Sequence, residues 1–298
     1  MIRKLTELQD EAKKNLKKTL VLAVAHDEHS LEAVSNAFHK GIVNAILVGD
    51  EGKIRKFATQ LSLDIEGMSI INEPDSVKAV EIAVKKVNSD EAQILMKGNV
   101  GTALLLKGVL NKEWGLRKGD LLSHFALFEI DAYHKLISLT DAAMNISPDF
   151  KGKVSIINNA VEFMNKLGIA KPKVALLAAV EVVNDAMPAT LDAALISKMA
   201  ERGQIKNCVI DGPLAFDNAI SRESASHKGI VSDVAGDADL LLVPDIESGN
   251  ILYKSFVFFA GGRVASIILG ASAPIVLTSR SDSEESKLNS IALAASIN

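Results

Sequence analysis

Apolar residues recur along the first third of the chain in two alternating patterns. Short runs rich in Val, Ile and Leu are typical of buried strands. Between them, apolar residues stand three or four positions apart among charges, which is the spacing of amphipathic helices. The strands predicted here are 19–25, 44–48, 68–71 and 93–96, and the helices are 3–17, one ending near 40, 52–61, 75–88 and 103–110. This alternation predicts an α/β fold with a mainly parallel sheet.

The pattern changes in the middle of the chain and then restarts. Segments 125–130 and 135–140 predict two neighbouring strands that pair antiparallel. After a Pro-containing stretch the strand–helix alternation resumes, so a second domain beginning near residue 140 is the natural division. The later strands predicted are 174–178, 208–211, 240–243, 264–268 and 275–277, and the helices are 151–167, 188–202, 250–260 and one that begins near 288.

Composition narrows the class of protein. Of the 298 residues, 48% are hydrophobic and 23% are charged, which is typical of a globular chain rather than a disordered one. The formal net charge is −4 and no basic tract stands out, so we expect no nucleic acid partner. The amino terminus lacks the apolar run of a signal peptide, and no stretch has the apolar length of a membrane span, so no membrane association is expected.

The sulfur and imidazole groups give little support for metal or nucleophile chemistry. Cys208 is the only cysteine, so no disulfide can form within the chain, and a reducing, cytoplasmic compartment is expected. Cys208 opens an apolar strand and is predicted to be a small core residue rather than a nucleophile. His26 and His29 lack the glutamate and third ligand of a helical zinc site, so loop or capping roles are expected. No Gly-x-Ser-x-Gly elbow is present, which disfavours an esterase triad.

The loops after the strands carry the candidate chemistry, because ligands of parallel α/β sheets bind at the carboxyl ends of the strands. Lys97-Gly98-Asn99-Val100-Gly101-Thr102 is a glycine-rich turn with a lysine at a helix start. It lacks the spacing of a nucleotide P-loop, and a plain tight turn with a Thr cap explains it about as well.

Two further loops place carboxylates where a turn does not need them. Asp211-Gly212-Pro213 is predicted as a strand end followed by a Gly-Pro turn, which leaves Asp211 unexplained. Pro244-Asp245-Ile246-Glu247-Ser248-Gly249-Asn250 is similar, and its Ser-Gly-Asn offers an anion cradle at the start of the next helix. The substrate-binding residues predicted from these loops are Lys97, Gly98, Asn99, Asp211, Gly212, Pro213, Glu247, Ser248, Gly249 and Asn250.

The last loop is the best candidate for binding a tetrahedral oxyanion. It follows the short apolar strand Ile275–Leu277 and contains Thr278, Ser279 and Arg280 before a helix. A helix amino terminus with a hydroxyl and a guanidinium suits phosphate. The alternative is that Ser281-x-x-Glu284 is a capping box and Arg280 a surface charge. That alternative does not explain the Thr-Ser-Arg run.

These loops together resemble the phosphate acetyltransferase and phosphate butyryltransferase family. The similarity runs through nearly the whole chain in the family's order, and the Asp-Gly-Pro-Leu and Pro-Asp-x-x-Ser-Gly-Asn blocks are its most specific parts. The length and the Leu-Thr-Ser-Arg-Ser-Asp-Ser-Glu-Glu ending are closer to the butyryl branch. The matching segments are Met96-Lys-Gly-Asn, Asp141-Ala-Ala-Met-Asn, Lys173-Val-Ala-Leu-Leu, Ile210-Asp-Gly-Pro-Leu-Ala-Phe-Asp-Asn-Ala-Ile, Ala235-Gly-Asp-Ala-Asp-Leu-Leu-Leu-Val-Pro-Asp-Ile-Glu-Ser-Gly-Asn and Ser279-Arg280.

The resemblance implies an activity and a fold. The activity is butyryl-CoA plus phosphate giving butyryl phosphate plus CoA, by direct transfer in a ternary complex, with CoA and phosphate as substrates and no cofactor or metal. The fold is two α/β/α domains like those of isocitrate and isopropylmalate dehydrogenases, with an interdomain cleft. Residues 1–138 with 271–298 would form the first domain and 139–270 the second. A homodimer or higher homo-oligomer is expected.

The resemblance also implies roles for single residues. Ser279 and Arg280 match the pair that holds phosphate and the developing negative charge. Ser286 stands where the acetyl enzymes carry an aspartate proposed to deprotonate CoA, and Asp282 is the carboxylate expected to replace it. Phe258 replaces an arginine near CoA, for which Arg263 or a lysine would substitute. The alternatives are acetyl-CoA as substrate, an acyl-phosphate synthase acting on acyl carrier protein, and a non-catalytic CoA or phosphate sensor.

Overall fold

The computed structural model describes residues 2–14, 16–277 and 282–297. The chain folds into two compact α/β units. The first unit is Leu5–Gly119 with Ala265–Asn298, and the second is Asp120–Val264 with Met1–Lys4. Within the described residues, no helix is both long enough and apolar enough to span a bilayer.

The amino-terminal part of the chain alternates strands and helices as predicted. Helices α2, α3 and α4 each begin behind an aspartate, Asp27, Asp50 and Asp75, whose carboxylate accepts a main-chain N–H of the first turn. In order, the elements are α1 (Leu5–Lys14), β1 (Lys18–Ala23), α2 (Glu28–His39), β2 (Val43–Gly49), α3 (Glu51–Gln60), β3 (Ser69–Asn72), α4 (Ser76–Asn88), β4 (Ile94–Lys97) and α5 (Thr102–Val109).

The rest of the chain resumes the alternation after an antiparallel pair of strands, also as predicted. Two short helices after β8 were not predicted, because they are too short to show an apolar period. The elements are β5 (Ser123–Glu129), β6 (Ile137–Thr140), α6 (Phe150–Lys166), β7 (Lys173–Leu177), α7 (Pro188–Glu201), β8 (Val209–Leu214), α8 (Phe216–Ile220), α9 (Arg222–His227), β9 (Leu240–Leu242), α10 (Ile246–Phe258), β10 (Arg263–Leu269), β11 (Ile275–Val276) and α11 (Glu284–Ala295).

The sheet of the first unit has the strand order β3-β2-β1-β4-β11-β10. Adjacent strands of this sheet pair in parallel, except that β10 is antiparallel to β11. The carboxyl ends of β1, β2, β3, β4 and β11 therefore share one edge. Helix α11 is buried from Lys287 to Ala295 and contacts α1 and α2, so the last helix of the chain is a core element of this unit.

The sheet of the second unit has the order β5-β6-β9-β7-β8. Strands β6, β9, β7 and β8 are parallel, and β5 is antiparallel to β6. An aromatic cluster that includes Phe128, Phe256 and Tyr253 packs α10 against this sheet. The core therefore fixes α10, and with it the loop that precedes that helix, relative to the strand ends.

The boundaries between the two units fall at positions other than the domain boundaries predicted from the sequence. The units change at 119/120 and 264/265, whereas the prediction divides the chain at 138/139 and 270/271. Strand β5 falls in the second unit because its backbone pairs with β6. The domain boundaries themselves stay a prediction.

Candidate active site

The segment predicted to hold phosphate is described at its two flanks. Ser279 and Arg280 lie outside the described residues, as do Thr278 and Ser281. On the amino-terminal flank, β11 pairs in parallel with β4, with Val276 opposite Met96. The described chain therefore reaches this segment at the strand edge where ligands of parallel sheets bind.

On the carboxyl-terminal flank the chain is described again from Asp282, which is half-buried. Helix α11 begins at Glu284, and Ser283 is its N-cap, with the Ser283 hydroxyl accepting the Ser286 N–H at 3.1 Å. The alternative in which Ser281 caps this helix is therefore wrong, because the helix begins two residues later than a Ser281 cap requires. Helix capping leaves the Thr-Ser-Arg run unexplained, as the sequence indicated.

Gly98 is required by a close approach of two chain segments in the first unit. A Cβ on Gly98 would lie 2.3 Å from the main-chain oxygen of Val24 and 2.7 Å from that of Ala23, which leaves no room for any side chain. Lys97 Nζ donates to the main-chain carbonyls of Gly98 at 3.3 Å and Val100 at 3.2 Å. The lysine ammonium therefore lies over its own loop at the edge shared with β11.

The main-chain amides of this loop serve the fold. The N–H groups of Gly98, Asn99 and Val100 donate to main-chain carbonyls at 2.9, 2.8 and 2.9 Å. Helix α5 follows behind Gly101 without a side-chain cap, so Thr102 is a helical residue and not the cap. Up to Val100 the loop therefore offers a ligand side-chain groups, the Lys97 ammonium and the Asn99 amide, and open main-chain N–H groups begin only at the uncapped first turn of α5.

Asp211, Gly212 and Pro213 lie inside strand β8, so the predicted strand end at Asp211 is wrong. A Cβ on Gly212 would lie 2.6 Å from Leu176 Cβ and 3.3 Å from Ala193 Cβ. Glycine here lets β7 and α7 approach β8 instead of forming a turn. Pro213 fits because β8 is the outermost strand of its unit's sheet on that side, where a missing N–H costs least.

Glu247, Ser248, Gly249 and Asn250 lie in the first turns of α10, so the predicted helix start at Asn250 is wrong. The cause is the Asp245 cap, whose carboxylate accepts the Ser248 N–H at 2.9 Å and the Ser248 hydroxyl at 2.8 Å. The anion cradle predicted here already holds a carboxylate of the chain itself. A ligand at this turn would have to use the side chains of Glu247 and Asn250.

Asp141 is a further candidate site residue, to which the sequence analysis gave no role beyond its place in a matching segment. It is buried directly after β6, and its carboxylate accepts the N–H groups of Ala143 and Met144, both at 2.9 Å, and the Asn145 amide at 2.6 Å. A Cβ on Gly249 would lie 2.8 Å from the Asp141 main-chain oxygen. The loop after β6 and the start of α10 therefore pack directly together. An aspartate directly after a buried strand was the available signal.

His26 and Cys208 have the unreactive environments expected of them. His26 is buried, its Nδ1 accepts the Asp50 N–H at 3.3 Å, and burial lowers its pKa, so its ring is neutral at pH 7. Burial raises the pKa of Cys208 to about 11, so its thiol is protonated and a poor nucleophile. Among the described residues, no three His, Cys, Asp or Glu side chains come together as a metal site.

The predicted site residues thus form two groups, one in each unit. The first unit holds Lys97, Gly98 and Asn99 beside the flanks of the Ser279–Arg280 segment. The second unit holds Asp211–Pro213 and Glu247–Asn250 at the carboxyl-terminal part of its parallel strands, with Asp141 added. Arg263, expected to substitute for an arginine near CoA, forms an ion pair with Glu129.

Comparisons with known proteins find similarity over nearly the whole chain. The family model described as phosphate acetyl/butaryl transferase matches residues 4–81 and 73–295. The phosphate butyryltransferase of Clostridium acetobutylicum is 49% identical over 99% of this chain and 98% of its own. The phosphate acetyltransferase of Thermotoga maritima is 44% identical over 93% of this chain and 94% of its own.

A solved structure supports the same assignment. The crystal structure of a branched-chain phosphotransacylase from Enterococcus faecalis has a TM-score of 0.83 and 36% identity, and the match covers 94% of this chain and 98% of that one. This likeness confirms the dehydrogenase-like two-domain α/β fold class that the resemblance implied. The chain therefore belongs to the phosphate acetyl/butaryl transferase family and is an acyltransferase.

Proposed function

We propose that this protein transfers a butyryl group reversibly between coenzyme A and inorganic phosphate. The observation that carries the proposal is the full-length identity to relatives named phosphate butyryltransferase, which exceeds the identity to those named phosphate acetyltransferase. The location of the Thr-Ser-Arg segment between β11 and α11 supports the use of phosphate. Both reactants are substrates, and the proposed step uses no resident cofactor or metal.

The proposed chemistry is a direct displacement at the thioester carbonyl. A phosphate oxygen attacks the carbonyl carbon, the new C–O bond forms, and the C–S bond breaks to release the CoA thiolate, which then takes up a proton. Arg280 would hold two phosphoryl oxygens with its planar guanidinium, and Ser279 would donate to the charge that develops in the transition state. Holding both reactants in one complex supplies the orientation that a reaction in solution lacks.

In the reverse direction CoA must lose its thiol proton before it attacks the acyl phosphate. We assign this proton transfer to Asp282, the half-buried carboxylate at the flank of the segment. Lys97 and Asn99 supply polar groups at the adjacent strand end, and Glu247 and Asn250 supply them at the start of α10. Gly98, Gly212 and Gly249 allow the close backbone packing that positions these loops.

The acyl chain length is tested by a thiol-release assay with phosphate and a series of acyl-CoA substrates. Purified protein is expected to show its highest kcat/KM with butyryl-CoA among the acetyl, propionyl, butyryl and valeryl thioesters. One methylene in an apolar pocket is typically worth roughly 10- to 200-fold, so neighbouring chain lengths should be resolved. A maximum of kcat/KM with acetyl-CoA would instead assign the protein to the acetyl branch. The similarity to the Thermotoga phosphate acetyltransferase makes that branch the alternative to test.

A non-catalytic sensor of CoA or phosphate is the candidate from a different class. A thermal shift with CoA, measured beside the turnover assay, separates the two. Stabilisation by CoA without release of thiol from any of the four thioesters would support the sensor and end the transferase proposal.

We also propose that the protein acts in the cytoplasm as a homodimer or larger homo-oligomer, with neither nucleic acid nor membrane as partner. The single Cys208 and the net charge of −4 are consistent with this setting. Light scattering on the purified protein gives the mass of the assembly directly, for comparison with the chain mass of 31.8 kDa.

A further inference from the structure

His26 is a buried histidine just after β1, and one contact fixes its tautomer. Its residue surface is 9% exposed, and its Nδ1 accepts the Asp50 N–H at 3.3 Å. A neutral imidazole that accepts at one ring nitrogen carries its proton on the other, so Nε2 is the N–H donor. No described residue accepts this proton. Because buried polar groups nearly always have a partner, the open Nε2–H requires an explanation.

The contact to Asp50 also limits where Nε2 points. Asp50 follows β2, and β2 and β4 pair with opposite sides of β1. The two nitrogens of an imidazole ring point in diverging directions, so a ring whose Nδ1 faces the loop after β2 turns its Nε2 away from that loop. Burial, and then the charge of Lys53, lowers the pKa of His26. The ring is therefore neutral, and it can donate this hydrogen bond without giving up the proton.

The carboxyl ends of β1 and β4 flank the point where the strand order of this sheet reverses. From β1 the chain continues outwards through β2 and β3, and it then returns to the other side of β1 to form β4. Ligands of open α/β sheets bind outside the strand ends at such a reversal. His26 follows one of these two strands, and Lys97 and Asn99 lie at the end of the other. A ligand bound there would meet side chains from both loops.

The backbone joins these two loops and keeps one residue strained. The Asn99 N–H donates to the Val24 carbonyl at 2.8 Å, and the Ser30 hydroxyl donates to the Lys97 carbonyl at 3.4 Å. Val24 has a φ of 58°, which a β-branched residue rarely adopts. Strained residues of this kind persist only where the surrounding structure enforces them, and they concentrate at functional sites. His26 lies two residues beyond Val24, beside the loop after β4.

The polar groups at this reversal suit a phosphoryl group. Lys97 supplies an ammonium, and the first turn of α5 supplies main-chain N–H groups that no side chain caps. The carboxylates near His26 are those of Asp27 and Asp50, and each already accepts a main-chain N–H as the N-cap of a helix. The Nε2–H of His26 adds a neutral donor to this set.

We propose that His26 binds substrate by donating its Nε2–H to a phosphoryl oxygen held at the carboxyl ends of β1 and β4. The inference rests on the proposed function, in which two substrates carry phosphoryl groups, inorganic phosphate and coenzyme A. It adds a binding residue that the sequence predicted only as a loop or capping residue. A purely structural His26 would need Nδ1 alone, for the contact to Asp50, so the two nitrogens can be tested apart.

Two amide substitutions separate the two ring nitrogens. His26→Asn places an oxygen near the position of Nδ1, so it keeps an acceptor for the Asp50 N–H and loses the donor at Nε2. His26→Gln does the reverse, because its amide nitrogen reaches the position of Nε2. In isothermal titration with inorganic phosphate and with CoA, one of the two ligands should bind His26→Asn about 10- to 100-fold more weakly, the loss expected for one hydrogen bond to a charged group, and His26→Gln should stay within about threefold of wild type.

The ligand that loses affinity identifies the source of the phosphoryl group. Weaker binding of phosphate alone assigns the acceptor to inorganic phosphate, and weaker binding of CoA alone assigns it to a phosphate of CoA. Wild-type affinity for both ligands in folded His26→Asn would overturn the proposal. An equal loss in His26→Gln would also overturn it, because the effect would then come from the Asp50 contact.

His39 is a matched control in the same unit. It is an exposed histidine in the last turn of α2, and its Nε2 lies 2.8 Å from the main-chain oxygen of Asp64. His39→Asn should leave both affinities unchanged, and a loss equal to that of His26→Asn would reject a specific role for His26. If His26→Asn does not fold, His26→Phe, which fills the volume of the ring without either nitrogen, replaces it, and wild-type affinity in that variant would overturn the proposal.

Titration separates this inference from the function on which it rests. A wild type that binds phosphate and CoA but releases no thiol from butyryl-CoA would reject the transferase, and the comparison of the His26 variants would still decide the role of His26. A wild type that binds neither ligand would overturn both.

Discussion

Arg280 is the residue on which the proposed chemistry depends most. Its guanidinium is expected to bind phosphate and to meet the charge of the transition state, so Arg280→Ala should lower kcat about 10²- to 10³-fold in the thiol-release assay. Arg55→Ala is the control, because Arg55 is exposed on α3 and pairs with Glu51 one helical turn away. Both variants should keep the wild-type circular dichroism spectrum. Near-normal turnover in folded Arg280→Ala would remove this arginine from the mechanism.

At the scale of elements, the loop after β4 shows that close packing of the backbone can require glycine at a position. Gly98→Ala would place a Cβ 2.3 Å from a main-chain oxygen, so it should destabilise the protein by about 1–3 kcal/mol. Gly101, three residues later, has open space around its Cβ position and a φ of −64°. Gly101→Ala should therefore stay within about 1 kcal/mol of wild type, because the entropy gain offsets the weaker N-cap. Urea unfolding of the two variants measures both values, and equal destabilisation would show that the close approach is not what requires Gly98.

Elements with a strong apolar period could be predicted from the sequence, and the boundaries set by local contacts could not. The alternation through α4 and the antiparallel pair of β5 and β6 follow from hydrophobic pattern. The extension of β8 through Gly212 and Pro213 does not, because those residues read as a turn unless the neighbouring β7 is known. Helix α10 starts earlier than predicted because Asp245 caps it. Several aspartates in that region could have been the N-cap, and the sequence pattern does not distinguish them.

The same limit applies to the site as a whole. The sequence brought out the loops after the strands because their polar residues exceed what a turn requires. It gave no sign of which amides were already bonded, as those of Gly98 and Asn99 are, nor that Lys287 would be buried. Burial and hydrogen-bond partners depend on the three-dimensional fold, and a lysine in a helical pattern is usually on the surface.

At the scale of the whole molecule, a charged network ties the amino ends of strands in the second unit, away from the candidate site residues. At its centre, Asp237 precedes β9 and accepts from Lys173 at 2.6 Å and His134 at 2.8 Å. Burial alone would raise the pKa of Asp237, but hydrogen bonds from these groups and from Lys135 outweigh it and hold the pKa well below its usual range. The charged and titratable groups that surround it are Tyr133, His134, Lys135, Lys173, Arg222 and Asp239.

A lowered carboxyl pKa stabilises the fold above the pKa of the unfolded chain, here near 3.8, and the stabilisation is lost as pH falls through that value towards the folded pKa. The wild-type free energy of unfolding should therefore decrease with acidification. Asp237→Asn should cost roughly 2–4 kcal/mol at neutral pH, because it leaves several cations without their carboxylate. The difference between the two proteins should narrow as the medium is acidified below about pH 4. Urea unfolding across this pH range measures it, with Asp131→Asn, an exposed aspartate of the same unit, as control. A difference that stays constant with pH would mean that the Asp237 network acts by packing and not by charge.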